Sequence, residues 1–410
     1  MKELFKELNF FAKKYGDKIG RYLEKKFDTQ EKIVRKLDLA LFILALLALS
    51  INMSTCVKVF ANAPINERIS RPAMARASSW FYASGPLEPL PVFALKVPML
   101  VSKANPIKIQ RAEGCIVFVL IFFAFIKVVS ARVSRSAALY SSVILAGIPW
   151  LGYYAMTGSA MLFSLLFLLL YWDYSDISRL NYERAVYAGL CAAAACLCRT
   201  ESVFFIIINT LFFIPECKAG SKWRHLGLVF AIMIFLSAPY FIWQKAHFGN
   251  AFYGQEMGLT RLINAEISNL GLDKEYVKQP SSLFQFLFRD GFMAALAAPF
   301  KGLLQALTFE FPRAIYYKIA ILFAFIGLYF SYMKSSKIFY SLWLSAFIPV
   351  CFFAYMNIVQ RNGEPAGGIP LEYYLSSLPG IIAAAGYGLQ ESCHYFSEWL
   401  ARKYPQGFKR

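Results

Sequence analysis

The sequence predicts an all-α polytopic membrane protein with about ten transmembrane helices, because of its composition and the spacing of its apolar runs. Hydrophobic residues make up 58% of the 410 residues and aromatic residues 17%, whereas a soluble domain is about 45–50% apolar. The apolar residues fall into separate runs, close to the roughly 20 residues that cross a bilayer as a helix. Charged residues lie mostly between these runs.

Ten apolar runs divide the chain into three parts. Residues 37–390 hold all ten and form the predicted transmembrane domain. Residues 1–36 carry apolar side chains at helical spacing among lysines, which predicts a basic amphipathic segment on the cytoplasmic membrane face. Residues 391–410 form a predicted cytoplasmic tail. The ten runs are 37–56, 114–130, 137–156, 158–173, 185–198, 202–216, 226–243, 314–331, 338–356 and 371–388.

The short loops indicate the orientation of the chain, because cytoplasmic loops carry an excess of Lys and Arg. With the N-terminus inside, the short outer loops hold only Arg199 and Arg361, and every inner loop is basic. We therefore expect both termini in the cytoplasm of a cell whose plasma membrane, a bacterial inner membrane, holds the protein. Gly291 to Phe309 is apolar enough to cross, but crossing would move the later basic loops outside. It is interpreted as an interfacial outer helix.

Two long outer loops, 57–112 and 244–313, are the predicted functional regions, since long loops in a compact protein usually carry function. The first holds two short amphipathic segments, which predict helices that lie along the membrane surface. The net charge of +18 does not indicate nucleic acid as a partner, because the basic residues are spread between apolar runs. Membrane lipids are the expected partners of such loops.

Glu67 is the first candidate for chemistry. It follows the first apolar run, in Asn66-Glu67-Arg68, at the predicted outer boundary. A carboxylate held there suits acid–base chemistry at the lipid boundary. The alternative is a surface acid paired with Arg68 or Arg71. With three histidines in the chain a His-based zinc site is not expected. No cofactor is predicted, and a divalent metal is the alternative that the sequence leaves open.

Four stretches of the chain form an ordered series. The predicted topology places each stretch on the side of the membrane that fits its position in this order. They are Asn66-Glu67-Arg68 with Pro86-Leu87-Glu88-Pro89-Leu90-Pro91; Gly152-Tyr153-Tyr154-Ala155 with Cys198-Arg199-Thr200-Glu201; Ala238-Pro239-Tyr240 with His247-Phe248-Gly249-Asn250; and Glu372-Tyr373-Tyr374-Leu375 with Gly386-Tyr387-Gly388.

This series resembles the GT-C superfamily of polyprenyl-phosphate-sugar-dependent glycosyltransferases, in the branch of protein mannosyltransferases and aminoarabinose transferases of lipid A. The resemblance covers roughly residues 37–390. Three positions depart from it. Asn66 replaces the first acid of the acidic motif, Gly158-Ser159 replaces an acid near the fourth span, and Glu372 stands where an Arg commonly precedes Tyr.

The resemblance implies an inverting glycosyltransferase. It would move a sugar from a polyprenyl-phosphate donor to a hydroxyl of a lipid, glycan or protein acceptor at the outer face. Glu67 would be the catalytic base, and cations would stabilise the leaving phosphate, a role that suits Arg. The candidate cations are Arg68, Arg71, Arg199, Lys245 and Arg361.

Three of the candidate substrate-binding residues have competing interpretations. Arg199 either holds the donor phosphate or forms a structural pair with Glu201. Glu88 lies between prolines as a second acid or as a solvated side chain, and the solvated side chain is favoured. His247 is expected to be a hydrogen-bonding loop residue more than a ligand.

A transporter or flippase, or a non-catalytic binder of a lipid-linked sugar, is the alternative to an enzyme. Charges buried at span centres would favour transport. Here the span centres are almost free of charge, and acids and bases gather at the boundaries. That distribution favours surface chemistry.

Overall fold

Helices make up all the regular structure of the described part of the chain. The computed structural model describes residues 36–61, 71–176, 179–213, 220–254, 291–333 and 374–403. The helices are α1 (Lys36–Phe60), α2 (Arg71–Ala77), α3 (Pro89–Val101), α4 (Pro106–Arg132), α5 (Arg135–Gly147), α6 (Pro149–Thr157), α7 (Ala160–Tyr174), α8 (Tyr182–Cys198), α9 (Ser202–Phe213), α10 (Gly220–Phe248), α11 (Phe292–Gln305), α12 (Phe311–Ile315), α13 (Lys318–Met333) and α14 (Leu378–Lys403).

Four helical runs in the described residues are long and apolar enough to cross a membrane. They are α1, α4, most of α10 and the run Phe292–Ile315, and the α5–α6 pair makes a fifth if it counts as one span. Four other apolar helices have 10 to 17 residues. The all-helical, membrane-type fold is therefore confirmed for this part of the chain. The total of ten spans stays a prediction, because residues 338–356 lie outside the described residues.

The third predicted span is wrong in one respect: residues 137–156 form two helices instead of one. α5 and α6 are bent by 58° at Ile148. Pro149 causes the break, because its ring lacks an amide hydrogen and pushes the preceding residue into an extended conformation. Asn52 of α1 bridges the break by donating hydrogen bonds to the carbonyls of Ala146 at 2.9 Å and Ile148 at 2.8 Å.

The predicted interfacial segment near Gly291 is helical. α11 continues through a π-helical turn, Ala306–Glu310, into α12, and Pro299 lies inside α11. The whole run is long and apolar enough to cross, and only 7% of its most apolar window is buried in protein. That this run lies along the membrane surface without crossing it stays a prediction.

The core lies between α4, α5, α7, α8 and α14. Phe118, Ile121, Phe122 and Phe125 of α4 are fully buried there. α14 packs against α5 and α13. A Cβ atom added at Gly327 of α13 would collide with the Ala384 carbonyl of α14, so a small residue lets these two helices approach closely.

A charged cluster joins α4, α7 and α8 at one end of the helices. Asp173 of α7 is buried and pairs with Lys127 of α4 at 2.8 Å and Arg184 of α8 at 3.8 Å. Arg132 donates to the carbonyl of Trp172. This end holds the C-termini of α4 and α7. The other end of the same helices holds the N-terminus of α4 and the α8–α9 connection.

Candidate acid–base site at the α8–α9 boundary

The loop that leads into α3 fixes the position of Glu88. Glu88 is the last residue before α3, and Pro89 begins the helix. Proline is favoured at a first helical position because the missing N–H has no intrahelical partner there. The Glu88 side chain does not cap its own helix. Its carboxyl instead accepts a backbone hydrogen bond from Thr200, in the α8–α9 connection.

The α8–α9 connection is as short as the sequence predicts. α8 ends at Cys198, α9 begins at Ser202, and Arg199 is the extended residue that ends α8. The Arg199 guanidinium binds the Glu201 carboxylate at 3.1 Å, with only 15% and 26% of these side chains exposed. The ion pair with Glu201, one of the two alternatives for Arg199, is therefore present. A role in holding phosphate stays a prediction.

Arg199 also acts on Glu88, so the charge of one guanidinium is felt by two carboxyls. Burial raises the pKa of Glu88 to about 7, the positive charge of Arg199 opposes this rise, and the negative charge of Glu201 adds to it. Burial dominates because an ionised carboxylate loses its hydration. The favoured interpretation of Glu88 as a solvated acid is therefore wrong. This carboxyl can exist in both protonation states near neutral pH.

The last third of α10 holds the loop before Glu88 in place. Gln244 donates a hydrogen bond to the Gly85 carbonyl at 2.6 Å, and Tyr240 donates to the Leu87 carbonyl at 3.4 Å. Both side chains are about 1% exposed. Tyr240 is also within electrostatic range of Glu88 and Glu201. These buried hydrogen bonds restrict the backbone of the loop that leads to Glu88.

Tyr240 and Gln244 are site residues that were not predicted from the sequence. Tyr240 stands in the Ala238-Pro239-Tyr240 stretch that contributes to the resemblance, and this was the available signal. Gln244 follows Tyr240 by four residues, so the two lie on one face of α10. A Tyr and a Gln on the same face near a helix end have many ordinary roles, which is why the pattern alone does not single them out.

Arg71 begins α2 and is buried, with 3% of the residue exposed. Its guanidinium lies 5.9 Å from the centre of the Phe163 ring. Gly158, in a left-handed conformation at the end of α6, leaves room for it, because a Cβ there would meet Gln110 and Arg71. Arg71 is thus a buried cation packed between helices, and not a solvated loop residue.

Cys198 connects the surroundings of Arg71 and Glu88. This thiol is fully buried at the end of α8, and the charges of both Arg71 and Glu88 act on it. Three of the predicted substrate-binding residues, Arg71, Arg199 and Glu88, therefore converge around the end of α8.

Two other candidates do not join this cluster. Lys245 is exposed in the last turn of α10 and is not among the charges that act on the Glu88 carboxyl. His247 is also exposed, stacks on Trp243 with ring centres 4.3 Å apart, and has its Nδ1 3.0 Å from the Trp243 carbonyl. His247 is a hydrogen-bonding residue as predicted, but it belongs to a helix and not to a loop.

The remaining candidates, Glu67, Arg68 and Arg361, lie outside the described residues. Within the described residues, no three His, Cys, Asp or Glu side chains are grouped as a metal site would require. No protein-family model matches this chain, and no curated protein is similar enough to count as a match.

Proposed function

We propose that this chain is a membrane glycosyltransferase that moves a sugar from a polyprenyl-phosphate donor to a hydroxyl acceptor at the extracytoplasmic face. The observation that carries the proposal is the Glu88 carboxyl, whose pKa burial raises to about 7, beside the Arg199 guanidinium. Such a perturbed acid next to a cation, at a membrane boundary, is typical of a catalytic site. The ordered series of motifs and the resemblance they carry give the reaction class.

The reaction needs a proton acceptor, which Glu88 can supply. As the acceptor oxygen attacks the anomeric carbon of the sugar, its hydroxyl proton passes to the Glu88 carboxylate. The bond between the anomeric carbon and the phosphate oxygen breaks, and its electron pair stays on the phosphate. Attack from the face opposite the leaving phosphate inverts the anomeric centre. A base with a pKa near the working pH is the most effective for such a transfer.

The leaving phosphate needs positive charge, which Arg199 can supply. A guanidinium presents its N–H groups in a planar fork that fits two phosphate oxygens. Glu201 orients the Arg199 side chain at 3.1 Å. Arg71, a buried cation whose charge acts on Cys198, adds positive charge to the same region.

Glu67 and Glu88 are therefore two candidates for one role. The test compares lipids and glycans, by mass spectrometry, from cells that carry the wild-type chain, Glu67→Gln, Glu88→Gln or the control Glu183→Gln. Glu183 is exposed in the first turn of α8, at the end opposite to Arg199. We expect one glycoconjugate to disappear in a base variant and to persist in the control. An unchanged profile in both base variants, with normal expression, rejects the proposal.

A transporter is the second candidate, and the bent α5–α6 pair favours it, because broken helices often form the substrate sites of transporters. In such sites the freed carbonyls bind the transported ion. Here the carbonyls of Ala146 and Ile148 accept hydrogen bonds from Asn52, and the Gly147 carbonyl accepts one from Tyr317 at 2.9 Å. Protein side chains thus occupy the break, which supports a structural role for it.

A further inference from the structure

A basic groove lies at the far end of α3 from Glu88. It encloses about 730 Å³ between α2, the end of α3 and the start of α4. The cations that line it are Arg76, Lys96 and Lys103, and none of its described lining residues is acidic. The groove lies about 12 to 18 Å along α3 from Glu88, at a rise of 1.5 Å per residue. It is therefore separate from the candidate acid–base site.

The groove holds its cations in different ways. The Lys96 ammonium donates to the Ser78 carbonyl and lies 3.4 Å from the Ser78 hydroxyl, so its position is fixed. Arg76 and Lys103 are exposed at the rim. Three positive charges around one concave space, without a described acidic residue in the lining, attract an anion.

An apolar stripe runs along α3 to the same groove. Phe93, Val97 and Leu100 are exposed and follow one another at helical spacing. The opposite face of α3 is buried against α2 through Val92 and Leu95. Leu100 is 76% exposed and also lines the groove, together with Met99. Apolar surface thus leads from the exposed side of α3 directly to the cations.

The groove lies at the level where α4 begins, at Pro106, and α4 is long and apolar enough to cross a membrane. An α4 that crosses the membrane has lipid headgroups at this level and lipid chains below it. A ligand that has a phosphate and apolar chains fits both parts of this surface. A soluble anion would use the cations alone.

We propose that this groove binds the phosphate-bearing headgroup of an anionic phospholipid, with the acyl chains along the exposed stripe of α3. The proposal is independent of the proposed enzyme activity. It gives the interfacial helix α3 a defined depth in the membrane. A zwitterionic lipid is a weaker ligand, because its own cation meets the three cations of the groove.

The test measures binding of short-chain lipids to the purified full chain in a neutral detergent, by thermophoresis. The ligands are dihexanoyl phosphatidylglycerol, dihexanoyl phosphatidylcholine and inorganic phosphate. The groove variant combines Arg76→Gln and Lys103→Gln. The matched control combines Lys58→Gln and Lys108→Gln, which removes two exposed positive charges outside the groove lining at the same end of the helices.

We expect wild-type protein to bind phosphatidylglycerol best and the groove variant to bind it roughly 30-fold more weakly, from the attraction of about 1 kcal/mol that each basic residue has for an anionic lipid surface. The control should lose less than about threefold, since salt screens distant charges. Equal losses in both variants, or none in the groove variant, overturn the proposal. If inorganic phosphate displaces phosphatidylglycerol at a concentration equal to that of the lipid, the assignment of a lipid to the groove is overturned. If the groove variant melts at a lower temperature, Lys103→Gln alone gives the decisive comparison.

Discussion

Glu88 is half-buried and is influenced by two neighbours of opposite charge, Arg199 and Glu201. The pH dependence of this residue is therefore the most specific expectation at the residue scale. In the proposed reaction the deprotonated carboxylate is the base, so transfer by the wild-type chain should rise as pH increases through about 7, the pKa that burial gives Glu88. Glu88→Gln keeps the shape and loses the proton acceptor, which should reduce the rate roughly 10²–10⁴-fold. Initial rates across pH 5.5 to about 8.5 measure both effects. A Gln variant with the wild-type rate and pH profile rejects Glu88 as the base.

The same carboxyl links stability to pH. Its folded pKa of about 7 lies above the ordinary 4.5, so the folded state binds the proton more tightly than the unfolded state does. The contribution of Glu88 to stability is therefore full below about pH 4.5 and is lost as pH rises through 7. We expect the melting temperature of Glu88→Gln to rise relative to wild type over this window. Parallel melting curves for the two proteins across the window would contradict it.

Arg199 should hold the donor phosphate, and two substitutions separate this role from a structural one. Arg199→Lys keeps the charge and loses the fork, so it should weaken donor use and keep some activity. Arg199→Ala should reduce donor affinity roughly ten- to a hundredfold, since a charge-assisted hydrogen bond contributes about 1.5–3 kcal/mol. If the pair with Glu201 only pins the α8–α9 turn, Arg199→Ala lowers the melting temperature and leaves donor affinity unchanged. Both are measured on purified protein.

The bend between α5 and α6 is the feature that matters most at the scale of helices. Pro149 creates it, and the Asn52 side chain, which is buried, satisfies two of the carbonyls that the break leaves free. Asn52→Ala should therefore destabilise the protein by roughly 1–3 kcal/mol, the cost of unsatisfied buried groups. Ser54→Ala, at an exposed position of the same helix, should be neutral. Equal melting temperatures for the wild type and Asn52→Ala would show that the break does not need Asn52.

Membrane topology is the expectation that belongs to the whole molecule. Basic short loops predict cytoplasmic termini, so a cysteine at Ser102 should react with an impermeant thiol reagent in intact cells. A cysteine at Ser336 should not, and the unmodified chain gives the background. Labelling at both positions would mean that the run Phe292–Ile315, which is long and apolar enough, crosses the membrane. Labelling at Ser336 alone would show that the whole chain has the orientation opposite to the predicted one.

The sequence predicts the helices well where an apolar run is long, and less well where a local break decides. α1, α4 and α10 lie where the apolar runs indicate. Hydrophobicity averaged along the chain does not reveal the break at Pro149, since Pro149 and its neighbours are themselves apolar. The charges at the α8–α9 turn are apparent in the sequence, because Arg199-Thr200-Glu201 separates the apolar runs 185–198 and 202–216.

The sequence by itself determined the class of protein, the positions of most helices and the location of charges at the ends of apolar runs, because these depend on composition and spacing along the chain. The tertiary structure decided which charges meet. Glu88 and Arg199 are more than a hundred residues apart, and only the packing of α3 and α10 against α8 brings the carboxyl to the guanidinium. Burial then raises the pKa of Glu88, and burial depends on neighbours from several helices. No local pattern in the sequence contains that information.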